Sequence, residues 1–499
     1  MKIFLFFIAA FIPISVFAES VTIEQAIKRI VKNNIHVLKM KYEYQRSDSD
    51  EKKSKSKYSY KAIAEASIKE SKLPFNRANF FSGTKSQTNR YAAGIETMFE
   101  SGTYFRVEAS STRFDSNAFE GDMYASSGFQ SLGIPPLYTG QIKALISQDL
   151  LKNSFGYAER KQNEILQNKS EMTKNEISAR ISGLIVESLI SFWNYTIAKE
   201  SLHSYERLHE NTKRIRNLYV RKQQIGLAES FEINNWNALL TQAESRMEEA
   251  RLNLTKAELA LKRDLNLAAN EDIPDVELLQ ELNFQPDPQK DLDYAYKHRA
   301  DYLNILKLKN IAALRVKIAQ NAALPEAKLS ASVSSQGQTI VSPGENFSDS
   351  NHGVTSGKYK EYGAQLSIKY PLFDPGVKAD KKDAEIFSRQ ILLDEERVRR
   401  EVHDDVNQQI ETLLVSQKIY KNTILAEAET RKYYNGIYSK FSRGKYDALT
   451  IKNSLDSLIQ SELRTIQTKI NFNINLMRYH ISKNSINENF GINPNEFNS

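Results

Sequence analysis

The run from Tyr157 to Gln224 constrains this chain more than any other feature, because its sixty-eight residues contain no proline and a single glycine, Gly183. Within it Ile181, Leu184, Ile185, Leu189, Phe192 and Trp193 recur at three- and four-residue spacing. That spacing is the signature of a helix with one apolar face. At 1.5 Å per residue the helix would span roughly 100 Å, about three times a bilayer core, and its surface is too polar to lie in lipid. It must stand in water. Ile225-Gly226-Leu227-Ala228 stops it, and a return helix runs through Phe231, Trp236, Leu239, Leu252 and Leu261 to Leu267. Only 19 Gly and 12 Pro occur in 499 residues, which favours such uninterrupted helices over a turn-dense sandwich.

Before the long helix the periodicity changes. A helix is predicted from Val21 to Ser56, and then Tyr58, Tyr60, Ala62, Ala64, Ala66 and Ile68 alternate with polar residues, the pattern of a strand with one apolar side. The same alternation predicts strands at Tyr91 to Phe99 and Thr103 to Ser111, joined by a turn at Glu100-Ser101-Gly102, and another at Gln141 to Asp149. Ile95, Phe99, Phe105 and Val107 share one parity, while Glu96, Arg106 and Glu108 share the other. A second passage through the same order follows. A helix at 292–323 leads to strands at 326–334 and 360–370, separated by a polar loop from Gly337 to Tyr359. A long helix from Val377 turns near Gly444 and returns to about Ile481.

The expected division is a signal peptide at 1–18; a first repeat at 19–267, with barrel strands in 58–150, a long helix at 157–225 and a return helix at 228–267; an equatorial connector at 268–290; a second repeat at 291–482, with barrel strands in 326–370, a long helix at 377–443 and a return helix at 446–482; and a C-terminal tail at 483–499. Residues 1–18 carry one charge, Lys2, then an apolar run closed by Val16-Phe17-Ala18, the form of a secretory leader. Beyond it no stretch reads as a membrane-spanning helix. Cysteine is absent, which excludes disulfides, thiol catalysis and lipidation at a cysteine. The net charge of +7 is spread without a dominant basic block, so nucleic acid is not an expected partner.

Strands whose apolar faces have no helix or second sheet to cover them can bury those faces in lipid, and a bilayer admits strands only as a closed barrel. One chain has too few strands to surround an open channel, whereas several copies together would reach a water-filled bore. The arrangement resembles the TolC-like outer membrane efflux protein family over essentially the whole mature chain. The residues that carry the resemblance are Tyr294-Ala295-Tyr296-Lys297-His298-Arg299-Ala300-Asp301-Tyr302, similar to the family's Arg-Pro-Asp-Leu signature with Ala300 for Pro; Ala322-Ala323-Leu324-Pro325 before a strand; and Tyr370-Pro371-Leu372-Phe373-Asp374-Pro375-Gly376 after one. Gly226-Leu227-Ala228-Glu229 and Gly444-Lys445-Tyr446-Asp447 sit where the family places its two periplasmic helix-turn tips.

The resemblance implies a mainly α fold with a membrane β part: a homotrimeric channel-tunnel with a shared transmembrane β-barrel, a long α-helical periplasmic barrel and two internal repeats per chain. It implies no cofactor. The implied partners are outer-membrane lipid, a periplasmic adaptor docking at the two tips, and an inner-membrane transporter, in tripartite efflux or type I secretion. The hairpin around Glu100-Ser101-Gly102 adds a strand pair to the four strands per chain typical of the family.

Arg431, Lys432, Tyr434 and Tyr438, repeated around a closing bore, are candidates for a basic and aromatic periplasmic gate. Trp193 and Trp236 read as packing residues. His203 and His209 are six apart on a helix and face different ways, so they do not suggest a metal site. Gly83-Thr84-Lys85-Ser86 resembles the end of a phosphate loop but precedes no helix, and is read as an extracellular loop. No catalytic constellation emerges. The competing reading is a periplasmic coiled-coil scaffold or surface adhesin without channel activity.

Overall fold

A computed structural model describes residues 22–76, 81–120, 133, 135–226, 228–268, 270–273, 284–340, 347–370, 372–441, 443 and 445–490. The expected signal peptide, Leu227, Gly444, Pro371, residues 269 and 274–283 of the connector and the last nine residues lie outside the described residues. The chain divides into two compact units, one made of Asp48–Glu171 and Lys307–Asp394, the other of Met1–Ser47, Met172–Leu306 and Glu395–Ser499.

The first unit is built on a six-stranded sheet of β1 (Lys61–Lys72), β2 (Lys85–Met98), β3 (Tyr104–Ser116), β4 (Leu137–Asp149), β5 (Glu326–Ile340) and β6 (Tyr359–Lys369). The strands lie in sequence order and every neighbouring pair is antiparallel. The β2–β3 hairpin turns where the sequence predicts, Gly102 N–H donating to Phe99 O at 2.8 Å. The strands run beyond the predicted ones at the loop end: β2 begins at Lys85 rather than Tyr91, and β5 continues through Gly337. Lys85 and Ser86, read as loop, are therefore strand. Alternation of apolar residues marks only the part of a strand with an apolar side, whereas the hydrogen-bonded ladder continues into polar sequence. The polar loop before β6 contains a helix the sequence did not suggest, α8 (Phe347–Thr355).

The second unit is helical. The predicted helix at 21–56 is broken into α1 (Ile23–Asn33), α2 (Ile35–Arg46) and, in the sheet unit, α3 (Ser49–Lys55). Asn34 makes the first break: its backbone is extended, its side-chain oxygen caps α2 by accepting from His36 N and Val37 N, and its amide donates to Ser188 Oγ and Asp264 O. The helix predicted at 292–323 is likewise α6 (Pro288–His298) and α7 (Ala300–Ala322), broken at an extended Arg299. Arg299 holds this break by bonding Asp301 at 2.6 Å, Asp405 at 2.5 Å and the carbonyl of Ser482 at 2.8 Å. Ala300 is the first residue of α7, the position proline favours, and the ion pairs fix the bend without one.

The long helices are α4 (Tyr157–Gln224) and α9 (Pro375–Phe441), and the return helices are α5 (Ser230–Asp264) and α10 (Ala448–Ser482), followed by a short α11 (Ile486–Asn489). One apolar core joins α1, α4, α9 and α10 through Ile27, Ile30, Ile181, Ile185, Leu189, Trp193, Val406, Leu413, Phe472 and Met477. A second joins Tyr219, Trp236, Phe441, Ile451 and Leu455. Contrary to the sequence expectation, α4 does contain a stretch apolar and long enough to cross a membrane by composition, and half of it is buried within the protein. Its apolar residues are consumed by the first core. At the C-terminal end of α10, Tyr479 Oη donates to the buried Asp291 at 2.6 Å and Lys483 Nζ reaches both at 2.8 and 2.7 Å.

Candidate functional site: a two-faced wall and a helical tip

The sheet register sorts the strand residues onto two unlike faces. Ala62, Ile95, Val107, Ala144, Val333 and Tyr362 stand opposite one another in one row across all six strands. Phe105, Ile146, Ala331 and Ala364 make another on the same side, and Leu329 pairs with Leu366. Ile95, Ile146, Leu329 and Leu366 remain 45–58% exposed. An apolar face this continuous is not left against water by a soluble protein. Aromatic side chains border it: Tyr91, Tyr138, Phe347 and Tyr362 toward the loops, Tyr60, Phe105, Tyr370 and Phe373 toward the strand ends that lead into helices. From Tyr362 to Tyr370 the strand rises about 27 Å. Tilted as barrel strands are, this spans about 20 Å, close to the apolar band of an outer-membrane barrel.

The opposite face is charged. Arg90 pairs with Glu65 at 3.0 Å and with Glu108; Glu108 also takes Arg106, which lies 3.8 Å from Glu96. Tyr104 Oη donates to Glu96 at 2.7 Å. Lys143, Ser330, Ser332, Gln365 and Ser367 continue this side. Such a network is at home in water and not in hydrocarbon. Among the described residues β1 and β6 each have one neighbour, so the sheet they form ends in two open edges.

The helical tip is formed by the turns between α4 and α5 and between α9 and α10. Gly226 takes φ +74°, a conformation open to glycine at little cost, and donates its N–H to Gln223 O at 2.9 Å. Glu229 starts α5 through a reciprocal capping box with Glu232, and Asp447 starts α10 by accepting from Thr450 N at 2.8 Å. Those bonds to Thr450 hold the Asp447 carboxyl below its ordinary range. Ala228, Lys445 and Tyr446 complete the described tip. Large apolar side chains stand exposed beside them, Ile225, Phe231 and Leu449. The sequence treated Phe231 as a helix-face residue, and only its exposure marks it otherwise.

The four gate candidates fall into two groups. Arg431 bonds Glu427 and Glu462, both at 2.8 Å, and the other oxygen of Glu462 accepts from Arg207 at 2.6 Å. Glu462, 5% exposed, thus ties α4, α9 and α10 together. Tyr434 is buried in the second core, and burial pushes its hydroxyl up to about 12. Lys432, paired with Glu429 at 2.8 Å, and Tyr438 are exposed. Glu462 was not anticipated; a lone acid among the apolar positions of α10 was the available signal.

The fold is that of the TolC-like outer membrane channels. CusC, whose structures concern transmembrane channel formation, matches with a TM-score of 0.67 at 13% identity, covering 94% of this chain and 93% of CusC. The CmeC outer membrane channel of Campylobacter jejuni gives 0.66 at 14% identity, over 92% of this chain and 85% of its own. The open state of the MtrE outer membrane channel of Neisseria gonorrhoeae gives 0.65 at 14%, over 92% and 88%. The sequence matches no protein-family model and no curated protein.

Proposed function

We propose that this protein is an outer-membrane channel: three copies join β1 of one to β6 of the next and close an eighteen-stranded barrel around water. The observation that carries the proposal is the two-faced sheet with two open edges, which hydrocarbon outside, water inside and further copies at the edges would all satisfy. Barrels of this strand number hold an aqueous lumen. The likeness to outer membrane channels over more than nine-tenths of the chain supports the same reading.

The leader at 1–18 delivers the chain across the inner membrane, the helical unit stands in the periplasm, and the channel is the passive outer segment of a tripartite efflux or type I secretion system. The tip residues Gly226, Leu227, Ala228, Glu229, Gly444, Lys445, Tyr446 and Asp447, with the apolar Ile225, Phe231 and Leu449, dock an adaptor that connects to an inner-membrane pump. Lys432 and Tyr438 face the bore as the gate, while Arg431 and Tyr434 position the helix that carries them. Two repeats underlie the chain, supported by paired long helices of 68 and 67 residues, return helices of 35 each, and helix breaks at Asn34 and Arg299.

The test is reconstitution of the full chain into planar bilayers with crosslinking across the β1–β6 edges. Stepwise conductance and a three-chain crosslinked product are expected. A monomer that stays in buffer without surfactant and never conducts refutes the proposal.

A further inference from the structure

On the tip side of the contact that Glu462 makes with Arg207 and Arg431, residues 208–232 and 432–456 hold ten Lys and Arg against five Asp and Glu. About two hundred residues of chain separate the two stretches, and the second apolar core makes them one surface. Tyr219 of α4 meets Phe441 of α9 with ring centroids 5.9 Å apart. Lys222 Nζ reaches over both rings, 5.6 Å from the first and 5.0 Å from the second. Neither stretch is a basic block in the sequence, and packing assembles one.

The acids of this surface are engaged. Glu210 holds Arg214 at 3.2 Å and Asp456 holds Lys452 at 3.2 Å. Glu229 and Glu232 turn their carboxylates on backbone N–H groups in the capping box of α5, and Asp447 does the same for Thr450 N. The cations are not. Lys213, Arg221, Lys440, Arg443 and Lys445 are exposed and have no acidic ion-pair partner among the described residues. On the charged face of the sheet the arginines are matched instead, Arg90 by Glu65 and Glu108, and Arg106 by Glu108 and Glu96.

We infer that the tip is an anion-binding mouth, which gathers solutes carrying carboxylate, phosphate or sulfonate groups for the bore. The inference rests on the channel reading, which brings three tips around one opening. Charges of one sign around a mouth raise the local concentration of counter-ions, and rings of Lys and Arg favour anions in pores. Screening acts over about 10 Å at 0.1 M salt, so cations on the rim of a narrow opening are felt by any ion that enters it. Arg443 and Lys445 flank the turn itself, and Lys440 and Arg221 stand in the last turns of the two long helices.

Single-channel recording of the full chain in planar bilayers, with a multivalent ion added to one side, tests this. A helical unit of this polarity does not cross a bilayer, so protein added to one side keeps its tip there. Hexacyanoferrate(II) is expected to halve the current from the tip side at a concentration at least tenfold lower than from the barrel side. It should also act at a concentration at least tenfold lower than hexaamminecobalt(III), a compact cation of the same octahedral shape. The triple variant Lys440→Gln, Arg443→Gln, Lys445→Gln should need at least tenfold more hexacyanoferrate(II) than wild type, and heat-modifiable gel mobility verifies that it folds. Lys143→Gln, which removes a cation from the charged face of the sheet, should block as wild type does. No block, equal block from the two sides or by the two ions, a triple variant blocked like wild type, or a loss with Lys143→Gln as large as with the triple variant overturns the inference. Wild-type conductance leaves the channel reading standing in each of those cases, and absence of conductance removes both.

Discussion

Placing arginine on adjacent residues of β5 tests the two-faced wall directly, because Leu329 and Ser330 point to opposite sides. Leu329 pairs with Leu366, midway between Tyr362 and Tyr370 and hence at the middle of the apolar band. Ser330 pairs with Gln365 on the charged side. At the midplane of a barrel an outward arginine costs about 2–4 kcal/mol, falling toward zero at the rims, because the guanidinium must be drawn out of hydrocarbon or take water with it. Leu329→Arg is therefore expected to lower the folding equilibrium constant roughly 30- to 700-fold. Ser330→Arg enters water beside existing charges and should move stability by less than about 0.5 kcal/mol while changing ion selectivity. Denaturant titration of protein folded into phospholipid vesicles, with the folded fraction read from heat-modifiable gel mobility, measures both. Equal costs, or a larger cost for Ser330→Arg, would refute the assignment of lipid to the apolar face.

Three further outcomes are expected from the helical unit. Glu462→Gln leaves Arg207 and Arg431 without their shared carboxylate; because both guanidiniums reach water, the loss should be about 2 kcal/mol in denaturant titration, whereas Lys432→Gln, which breaks a fully solvated pair, should change almost nothing. His480 is held down to about 4 by burial, with Lys483 adding to the effect and Asp291 opposing it. Its Nδ1 lies 2.9 Å from the amide of Asn489, an arrangement that suits the neutral ring as acceptor. The unfolded state takes the proton first, so this contribution is intact above about pH 6.5 and is lost as pH falls toward 4; His480→Gln should flatten that part of a melting-temperature profile. Asp447→Ala removes the cap of α10, and faster amide exchange confined to its first turn is the expected result.

The Arg299-Ala300-Asp301-Tyr302 segment illustrates what the sequence made legible and what it withheld. Its position before a strand was readable, but the helix break at Arg299 was not, since the residues on either side have helical periodicity and Ala300 is a good helix former. The bend depends on Asp405 and on the carbonyl of Ser482, more than a hundred residues away. The same reason hid the break at Asn34, whose amide answers Ser188 and Asp264. Glu462 was hidden because a charge among apolar positions declares its burial only when Arg207 and Arg431 arrive from two other helices.

The sequence by itself determined the long helices, the glycine-marked turn at 226 and the two unlike faces of the strands. These follow from periodicity and from the scarcity of helix breakers, both local properties carried by neighbouring residues. Tertiary structure alone decided where the strands end, which side of the sheet α8 covers and which charges are buried. A nine-residue helix holding two serines, an aspartate, an asparagine and a glycine has too little propensity to form unaided, so only the seat offered by Gly140 and Gly337, some two hundred residues apart in the chain, makes it a helix at all.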